Sequence, residues 1–221
     1  MGGAQTAGIV RVGSTVCRPR HARSDYVQTL LAQLAAAGFA GAPRPLGYDD
    51  QDREVVSFIV GHVPASPPYD LSDEQLLSAT QLVLGFHDVT SASPLRGSHE
   101  VVCHGDLGPH NTVFRGEDAV AIIDWDADVG PGRRSVDFAH AVWCFADLSE
   151  PSVPLPEQAR RTSVMCDAYP NMTPTIIISE LSARFHRARA QHAAADRRGG
   201  VEVFERLIDW VNANGDNIAS R

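Results

Sequence analysis

The sequence predicts a mixed α+β protein with two lobes, a small strand-rich lobe followed by a larger, mainly helical one. Short β-branched segments separated by turn residues fill much of the chain before residue 62. Apolar residues at helical spacing dominate the chain after residue 135. Between these regions a polar loop stands among apolar runs, and it is the richest source of candidate catalytic groups.

Composition limits the class of protein. A chain of 221 residues is long enough to bury a core in one large domain or two small lobes. The net charge of −8 argues against a nucleic-acid surface, which would need a basic face. No apolar run approaches the roughly 20 residues of a membrane span, and the N-terminus has no apolar signal core. The cysteines are scattered without a CxxC pair, which favours the reducing cytoplasm.

The basic residues are unusual in type. The chain contains no lysine, and all 19 basic residues are arginine. No catalytic or phosphate-binding lysine is therefore available to any mechanism proposed for this protein.

The predicted small lobe covers residues 1–62. Its segments read as a hairpin, "GIVRVGSTVCRP", a helix, "SDYVQTLLAQLAAAGF", and a strand–acidic turn–strand unit, "APRPLGYDDQDREVVSFIVG". Ser24 is expected to cap the helix and Gly38 to end it. The Pro- and Ser-rich segment "VPASPPYD" marks the border between the lobes.

The predicted large lobe covers residues 63–221. It opens with a helix that starts after Ser72, in "LSDEQLLSATQLVLGFHDVT". Next come the polar loop and two short strands, "TVFRG" and "AVAIID", around an exposed turn. Four further helices are expected at about residues 135–148, 156–169, 174–195 and 200–213.

The polar loop is "HGDLGPHN", residues 104–111, called the HGD loop below, and "IIDWD", residues 122–126, follows the predicted hairpin. A hairpin brings its ends together, so Asn111 and Asp124 should converge. Phosphoryl transfer needs a metal ion across the phosphates and a group that receives the acceptor's proton. Magnesium takes hard oxygen ligands such as carboxylate and amide oxygens. Asp106, Asn111 and Asp124 supply this set.

Turn formation and metallophosphatase chemistry are the alternatives to phosphoryl transfer. The polar residues of the HGD loop could be turn formers between strands, without any catalytic role. A metallophosphatase would use "GDLGPHN" together with an upstream Asp-x-His ligand pair, and the chain has no such pair. The combined pattern of the HGD loop and the IIDWD segment favours phosphoryl transfer over both.

The two motifs together resemble the aminoglycoside phosphotransferase-like family, also called the phosphotransferase enzyme family. The resemblance extends over roughly residues 8–145, through segments such as "VRVGSTVCRP", "VVSFIVGHV" and "SVDFAHAVW". It implies a two-lobed protein-kinase-like fold with a reduced strand-rich N-terminal lobe and a mainly helical C-terminal lobe.

The resemblance also implies roles for single residues. Asp106 would be the catalytic base that orients the acceptor hydroxyl, and Asn111 and Asp124 would hold Mg²⁺. His104 would brace the HGD loop, and Asp137 would hydrogen-bond its backbone. ATP or GTP would be the phosphoryl donor. The residues along its base, acting mainly through backbone groups, would be Ser57, Phe58, Ile59 and Val60.

The chain departs from the family at the phosphate-binding lysine. Arg18 stands where that lysine is expected and would take its place, with Arg11 a weaker candidate. The lysine's usual glutamate partner is also missing. Asp25 and Gln28 on the first predicted helix are not well placed by spacing, so no ion pair is expected for Arg18.

The start of the sequence is short for the family's small lobe. Gly2 and Gly3 would be the remnant of a glycine-containing turn over the phosphates. Three alternatives then stay open: a truncated lobe, a misassigned start codon, or a reduced nucleotide cover.

Several polar residues outside these motifs are expected to have structural roles. His87 is expected to be a buried, hydrogen-bonded histidine, and His110 to pack within the HGD loop more than to contact substrate. Glu180, Asp209 and Asp216 fall where the family builds its acceptor pocket, but no spacing assigns them a role.

The sequence therefore predicts a cytoplasmic, Mg²⁺-dependent phosphotransferase that moves a phosphoryl group from ATP or GTP to a hydroxyl of a small molecule. The alternative is a catalytically impaired pseudoenzyme that binds a nucleotide or a partner. Neither nucleic acid nor a membrane is an expected partner. The acceptor, the choice between ATP and GTP, and the oligomeric state stay open.

Overall fold

The computed structural model describes residues 8–220, so Gly2 and Gly3 lie outside the described residues. Within this range the chain forms eight strands and six helices, which confirms the mixed α+β class. The strands are β1 Val10–Val12, β2 Thr15–Pro19, β3 Pro45–Tyr48, β4 Arg53–Ser57, β5 Val101–Cys103, β6 Thr112–Arg115, β7 Asp118–Ile122 and β8 Gly130–Gly132. The helices are α1 Ser24–Ala36, α2 Asp73–Ser91, α3 Arg134–Phe145, α4 Leu155–Ala168, α5 Pro174–Ala194 and α6 Arg198–Ala219.

The first four strands form one antiparallel sheet in the order β1, β2, β4, β3. The hairpin and the strand–turn–strand unit expected from the sequence are both present. Strand β2 pairs with β4 so that Arg18 stands directly opposite Glu54. Since these residues lie 36 positions apart, the sheet register sets their pairing and no local pattern announces it.

Helix α1 packs an apolar face into the core. Gly38, with a φ of 79°, follows its last turn and stops the helix in a left-handed conformation that suits glycine. Ser24 is the first helical residue and not the expected cap. Its hydroxyl accepts a hydrogen bond from the backbone N–H of His21 at 2.8 Å. The buried apolar residues of α1 are Val27, Leu30, Leu31 and Leu34.

Helix α2 runs through the centre of the molecule. A capping box between Ser72 and Gln75 starts it, because each side chain bonds the other residue's backbone N–H. Phe86 is completely buried, and its ring meets the ring of Trp125 edge to face with centroids 5.1 Å apart. Helix α2 therefore packs against the IIDWD segment through this contact between the two rings.

Two short antiparallel ladders carry the polar segments. Strand β5 leads into the HGD loop and pairs with β8, which follows the IIDWD segment. Strands β6 and β7 form the predicted hairpin, with Thr112 opposite Ile122. Both polar segments therefore emerge from paired strands at one edge of the large lobe.

One apolar core extends through the structure, from Val27 on α1 to Ile218 on α6. The segment between the predicted lobes is tied to β6, since His62 and Phe114 exchange backbone hydrogen bonds of 2.8 and 2.7 Å. The predicted border between residues 62 and 63 stays a prediction. Among the helices of residues 8–220, none combines the length and apolar character needed to cross a bilayer.

Replacement of Phe86 by alanine tests the packing of α2. The variant removes a completely buried ring, so we expect the free energy of unfolding to fall by about 3–5 kcal/mol. Leu77→Ala on the same helix is the matched control, because Leu77 is 37% exposed; its cost should stay below about 1 kcal/mol. Urea unfolding of both variants measures the difference, and equal costs would contradict the packing described.

Candidate active site

The backbone of the HGD loop is held by one buried carboxylate. Asp137 on α3 accepts hydrogen bonds from the backbone N–H of His104 at 2.9 Å and of Gly105 at 2.8 Å. The Nε2 of His87 lies 3.0 Å from the same carboxylate. Burial raises the pKa of Asp137, but the bonds from His87 and the two N–H groups outweigh it and leave that pKa below its ordinary value. Asp137 is therefore an ionised anchor for the loop.

His104 connects the HGD loop to the IIDWD segment. Its Nε2 donates to the carbonyl oxygen of Ile123 at 3.0 Å, and its ring packs edge to face on Trp125 with centroids 4.8 Å apart. Burial lowers the pKa of His104. A neutral, buried ring held in this way is a brace and has no access to substrate.

Gly105 is required because the chain that follows the IIDWD segment approaches the HGD loop closely. Its φ is +88°, and a Cβ added there would lie 2.7 Å from the carbonyl oxygen of Asp128. Both the backbone conformation and the space therefore exclude larger residues. This explains physically why glycine separates the histidine from the aspartate in this loop.

Asp106 is held from two sides and open on a third. The Nε2 of His140 lies 3.1 Å from its Oδ1, and the Nδ2 of Asn111 donates to its Oδ2 at 2.9 Å. His110 adds a longer contact of 3.4 Å to the same Oδ2. Hydrogen bonds from His110 and His140 hold the pKa of Asp106 well below its ordinary value. The side chain is still 44% exposed, so an ionised oxygen remains accessible to a ligand.

Sequence reasoning missed the contribution of His140. It lies three positions after Asp137 on α3, and residues at that spacing share one helix face. Asp137 holds the backbone of the HGD loop and His140 holds its aspartate side chain. The pattern Asp-x-x-His in "SVDFAHAVW", a segment that also carries the family resemblance, could have suggested it.

Asn111 and Asp124 meet at the base of the β6–β7 hairpin, as the hairpin length predicts. The backbone N–H of Ile123 donates to the carbonyl oxygen of Asn111 at 2.9 Å. Asp124 has a φ of +64°. Burial and then the charge of Asp126 raise the pKa of Asp124, while the charge of Arg18 opposes them. A half-buried carboxylate of this kind is stabilised by a cation.

The residues present fit Mg²⁺. Asn111 uses its Nδ2 to bond the backbone and side-chain oxygens of Asp106, and its Oδ1 makes no hydrogen bond to any residue within 8–220. That amide oxygen and the Asp124 carboxylate are the hard ligands Mg²⁺ takes. No cluster of three or more His, Cys, Asp or Glu side chains in the described part of the chain could hold a metal. The fit is therefore to an ion that takes its remaining ligands from phosphate and water.

The small lobe contributes a cavity of about 230 Å³ beside Asp124. Arg18 lines it, as its expected role beside the phosphates requires. The expectation that Arg18 has no ion pair is wrong, because its Nε donates to Glu54 Oε2 at 2.7 Å across the sheet. The missing partner comes from a strand and not from helix α1. The lining residues of this Arg18–Asp124 cavity are Ile9, Arg18, Pro19, Arg20, His21, Asp124, Asp126 and Ala127.

The segment expected beside the nucleotide base keeps free backbone groups. The N–H of Ser57 and of Phe58 bond the carbonyl oxygens of Arg44 and Ser14, and the carbonyl oxygen of Val60 accepts from Arg115. The N–H and carbonyl of Ile59 make no hydrogen bond to any other described residue. A purine edge could pair with these groups.

The remaining candidates are engaged elsewhere. The guanidinium of Arg11 stacks 3.7 Å over the ring of Phe58 and does not line the cavity. Glu180 accepts hydrogen bonds from Arg133 and Ser135. Asp209 and Asp216 are exposed on α6.

A second cavity, about 380 Å³ and mostly apolar, lies between α1 and the end of α2, and none of its lining residues is ionisable.

A small sheet, a helical lobe and a polar loop facing a hairpin aspartate define a two-lobed, protein-kinase-like phosphotransferase fold. Residues 69–173 match the model of the Phosphotransferase enzyme family, which confirms the resemblance seen in the sequence. The trifolitoxin immunity protein of Rhizobium leguminosarum bv. trifolii is 32% identical over 168 residues. That match covers 69% of this chain, and the chain spans 63% of the length of this curated relative.

Solved structures share the fold at low sequence identity. The GDP and kanamycin complex of APH(2")-IIia superposes with a TM-score of 0.61 at 12% identity, over 97% of this chain and 92% of that one. Spectinomycin phosphotransferase in complex with ADP and spectinomycin superposes with a TM-score of 0.56 at 13% identity, over 99% of this chain and 90% of that one. Macrolide 2'-phosphotransferase from Brachybacterium faecium superposes with a TM-score of 0.55 at 16% identity, over 92% of this chain and 87% of that one. The predicted kinase-like fold is confirmed.

Substitution of Gly105 by alanine tests the close approach of the two polar segments. Gly116 in the β6–β7 turn is the matched control, since its φ is +61° and no atom lies within 4 Å of an added Cβ. Positive φ alone costs an alanine about 1–2 kcal/mol. We expect Gly105→Ala to lose more unfolding free energy than Gly116→Ala, because only the former also meets a backbone oxygen. Equal losses in urea unfolding would show that the segments are looser than described.

Stability should also fall in mild acid. The pKa of His104 is lowered in the folded state, so folding excludes a proton that the unfolded chain binds. This contribution to stability is complete above an unfolded pKa of 6.5 and is lost as the pH falls below it. The loss reaches at most about 1.4 kcal/mol per pH unit for each such histidine.

Urea unfolding at pH values above and below 6.5 measures this dependence. His104→Gln, whose amide can still donate to Ile123, should reduce it, and the part due to His140, whose pKa burial also lowers, should remain. His99→Gln should leave it unchanged, because His99 is exposed. An identical pH dependence in wild type and His104→Gln would contradict the buried, neutral brace.

Proposed function

We propose that the protein transfers the γ-phosphoryl group of ATP or GTP to a hydroxyl of a small molecule. The observation that carries this proposal is the environment of Asp106. Its carboxylate is ionised, held by His140 and Asn111 and still 44% exposed. A group that orients an acceptor hydroxyl needs these three properties together. Asn111 is bonded through its backbone to Ile123, the residue before Asp124, and Asp124 lines a cavity with Arg18.

The proposed reaction forms one bond and breaks another. The acceptor oxygen bonds to the γ-phosphorus, the bond from that phosphorus to the β,γ-bridging oxygen breaks, and the hydroxyl proton passes to Asp106. Because the pKa of Asp106 lies well below its ordinary value, the carboxylate is a weak base. Its main contribution is therefore to hold the hydroxyl in line, and the proton transfers late. Phosphoryl transfer through a loose transition state tolerates such a base.

His140 has a positioning role in this scheme. It is 4% exposed, and its Nε2–H fixes one carboxylate oxygen of Asp106 while Asn111 fixes the other. Held at both oxygens, the carboxylate loses little freedom when a hydroxyl binds. His110 lies at 34% side-chain exposure on the open side, within reach of an acceptor.

The phosphates would lie in the Arg18–Asp124 cavity. Arg18 offers a guanidinium that can bind phosphate with two donors. Mg²⁺, held by Asn111 and Asp124, would neutralise charge on the phosphates. Ser57 to Val60 would lie along the base, with the unpaired backbone groups of Ile59 as the recognition points.

The four cysteines are free thiols, in keeping with a cytoplasmic location.

The class of acceptor is inferred from the similar proteins, and it includes more than one compound. The names of the similar proteins mention kanamycin, spectinomycin, macrolides and trifolitoxin. A panel of these compounds with choline-like alcohols is the rational first screen.

The rival function is a pseudoenzyme that binds nucleotide without transferring phosphate, and the absent lysine supports it.

Nucleotide binding is the first experiment. Thermal or urea unfolding with Mg-ATP or Mg-GTP should show stabilisation of about 2.7 kcal/mol at a hundredfold excess over Kd. Asp124→Asn should abolish the magnesium-dependent part. Asp118→Asn, an exposed position in the same hairpin, is the matched control and should behave as wild type. Wild type without any shift would overturn the proposed function.

Turnover separates the enzyme from the pseudoenzyme. With any acceptor from the panel, Asp106→Ala should lower the rate by about 10²–10⁴-fold while leaving Mg-nucleotide binding intact. Nucleotide binding with no transfer to any acceptor, and no hydrolysis above background, would favour the pseudoenzyme.

A further inference from the structure

A buried carboxylate in the small sheet requires an explanation. Glu54 is 0% exposed, and an isolated charge at such a place is strongly unfavourable. Its Oε2 accepts a hydrogen bond from Arg18 Nε at 2.7 Å. The two residues are direct cross-strand partners on β2 and β4. The backbone ladder, and not a flexible loop, therefore fixes their separation.

Arg18 retains donors after this bond is made. Only its Nε takes part in a hydrogen bond with a described residue, so its terminal nitrogens have no partner among residues 8–220. Nη2 is buried and has no partner among those residues. Arg18 and Asp124 line the same cavity from opposite lobes. A buried guanidinium with unused donors facing a candidate metal ligand indicates an anionic ligand between them.

The carboxylate of helix α1 serves a different arginine. Asp25 binds Arg20 at 2.8 Å and accepts from the hydroxyl of Tyr48 at 2.6 Å, in an exposed cluster. It is therefore not a partner for Arg18. Glu54 is the carboxylate that contacts Arg18 among residues 8–220.

His21 lies near the same carboxylate oxygen of Glu54 that Arg18 binds. Its Nδ1 accepts from the backbone N–H of Arg23 at 3.3 Å, which leaves the hydrogen on Nε2. That Nε2 lies 3.6 Å from Glu54 Oε2 and also has no hydrogen-bond partner among the described residues. Two donor groups that line the cavity, those of Arg18 and His21, thus approach Oε2 of Glu54.

We propose that Glu54 is a positioning residue that holds the Arg18 guanidinium so that its terminal nitrogens bind the polyphosphate of the nucleotide beside Asp124. This inference rests on the proposed function, since it names how that site holds its donor. Protein kinases hold a lysine with a glutamate from a helix. Here both partners stand in one sheet, so the sheet register and not the placement of α1 determines the geometry.

Nucleotide affinity with and without phosphates tests the proposal. Titration calorimetry with Mg-ATP and Mg-GTP selects the better donor, and the matching nucleoside, adenosine or guanosine, serves as the phosphate-free probe. Glu54→Gln removes the charge at constant shape. It should weaken Mg-nucleotide binding by about 10- to 100-fold and leave nucleoside binding unchanged. Asp25→Asn is the matched control and should bind both probes as wild type does.

A double-mutant cycle separates positioning from mere stability. If Glu54 acts through Arg18, Arg18→Met with Glu54→Gln should bind Mg-nucleotide no more weakly than Arg18→Met alone. Additive losses, or equal losses of nucleoside and nucleotide, would overturn the proposal. Circular dichroism shows whether Glu54→Gln folds. If it does not fold, the double variant Arg18→Met, Glu54→Leu replaces it, because this variant removes both charges from the sheet. Full Mg-nucleotide affinity in that double variant would also overturn it.

The two proposals fail in different ways. A wild-type protein that binds neither Mg-ATP nor Mg-GTP overturns the phosphotransferase function itself. A wild-type protein that binds one of them, with Glu54→Gln binding as tightly, overturns only the role of Glu54.

Discussion

The carboxylate of Asp137 is the contact on which the candidate site depends. One buried side chain accepts from two successive backbone N–H groups of the HGD loop and from His87 on the central helix. These bonds fix where His104 and Gly105 lie relative to α2 and α3. His104 then donates to the IIDWD segment, and Gly105 admits the chain that follows this segment to within contact distance. Without the carboxylate, two N–H groups would be buried without acceptors, so the loop could not keep this position.

The two candidate carboxylates have opposite environments, and this separates their roles. Asp106 is surrounded by donors, which keep its pKa low and its charge present at all physiological pH values. Asp124 is half-buried near Asp126, and burial first and then the charge of Asp126 raise its pKa. Pairs of carboxylates whose pKa values are pushed apart are typical of acid–base and metal-assisted sites. Here the first group suits an acceptor hydroxyl and the second suits a metal ion.

Local patterns predicted the elements and the two polar segments. The hairpin between Asn111 and Asp124 is present because turn residues and two β-branched runs specify it within a few positions. The end of α1 at Gly38 and the start of α2 at Ser72 are equally local. The kinase-like architecture came from the resemblance that these motifs carry, and not from their periodicity alone.

The contacts that the sequence did not reveal are long-range. Spacing directs attention to the nearby helix for a partner of Arg18, but sheet register places Glu54 opposite it. His140 gives only a weak local signal, because its partner, Asp106, lies 34 positions earlier and faces it only after α3 docks on the loop. Helix phase and strand register both become visible only in three dimensions. The same limit applies to Glu180, whose carboxylate is taken by Arg133 and Ser135.

The charges around the Arg18–Asp124 cavity explain why a cation must accompany the nucleotide in the proposed reaction. Asp124 and Asp126 line the cavity with Arg18 and Arg20. Glu54 already compensates Arg18, and Asp25 and Asp52 compensate Arg20. The arginines therefore contribute directed donors more than net positive charge. A free triphosphate would meet the like charges of Asp124 and Asp126 on the large-lobe side, and like charges repel more strongly in a partly buried cleft than in water. In the proposed site, affinity for the triphosphate should consequently depend on both the cation at Asp124 and the donors of Arg18, whose orientation Glu54 fixes.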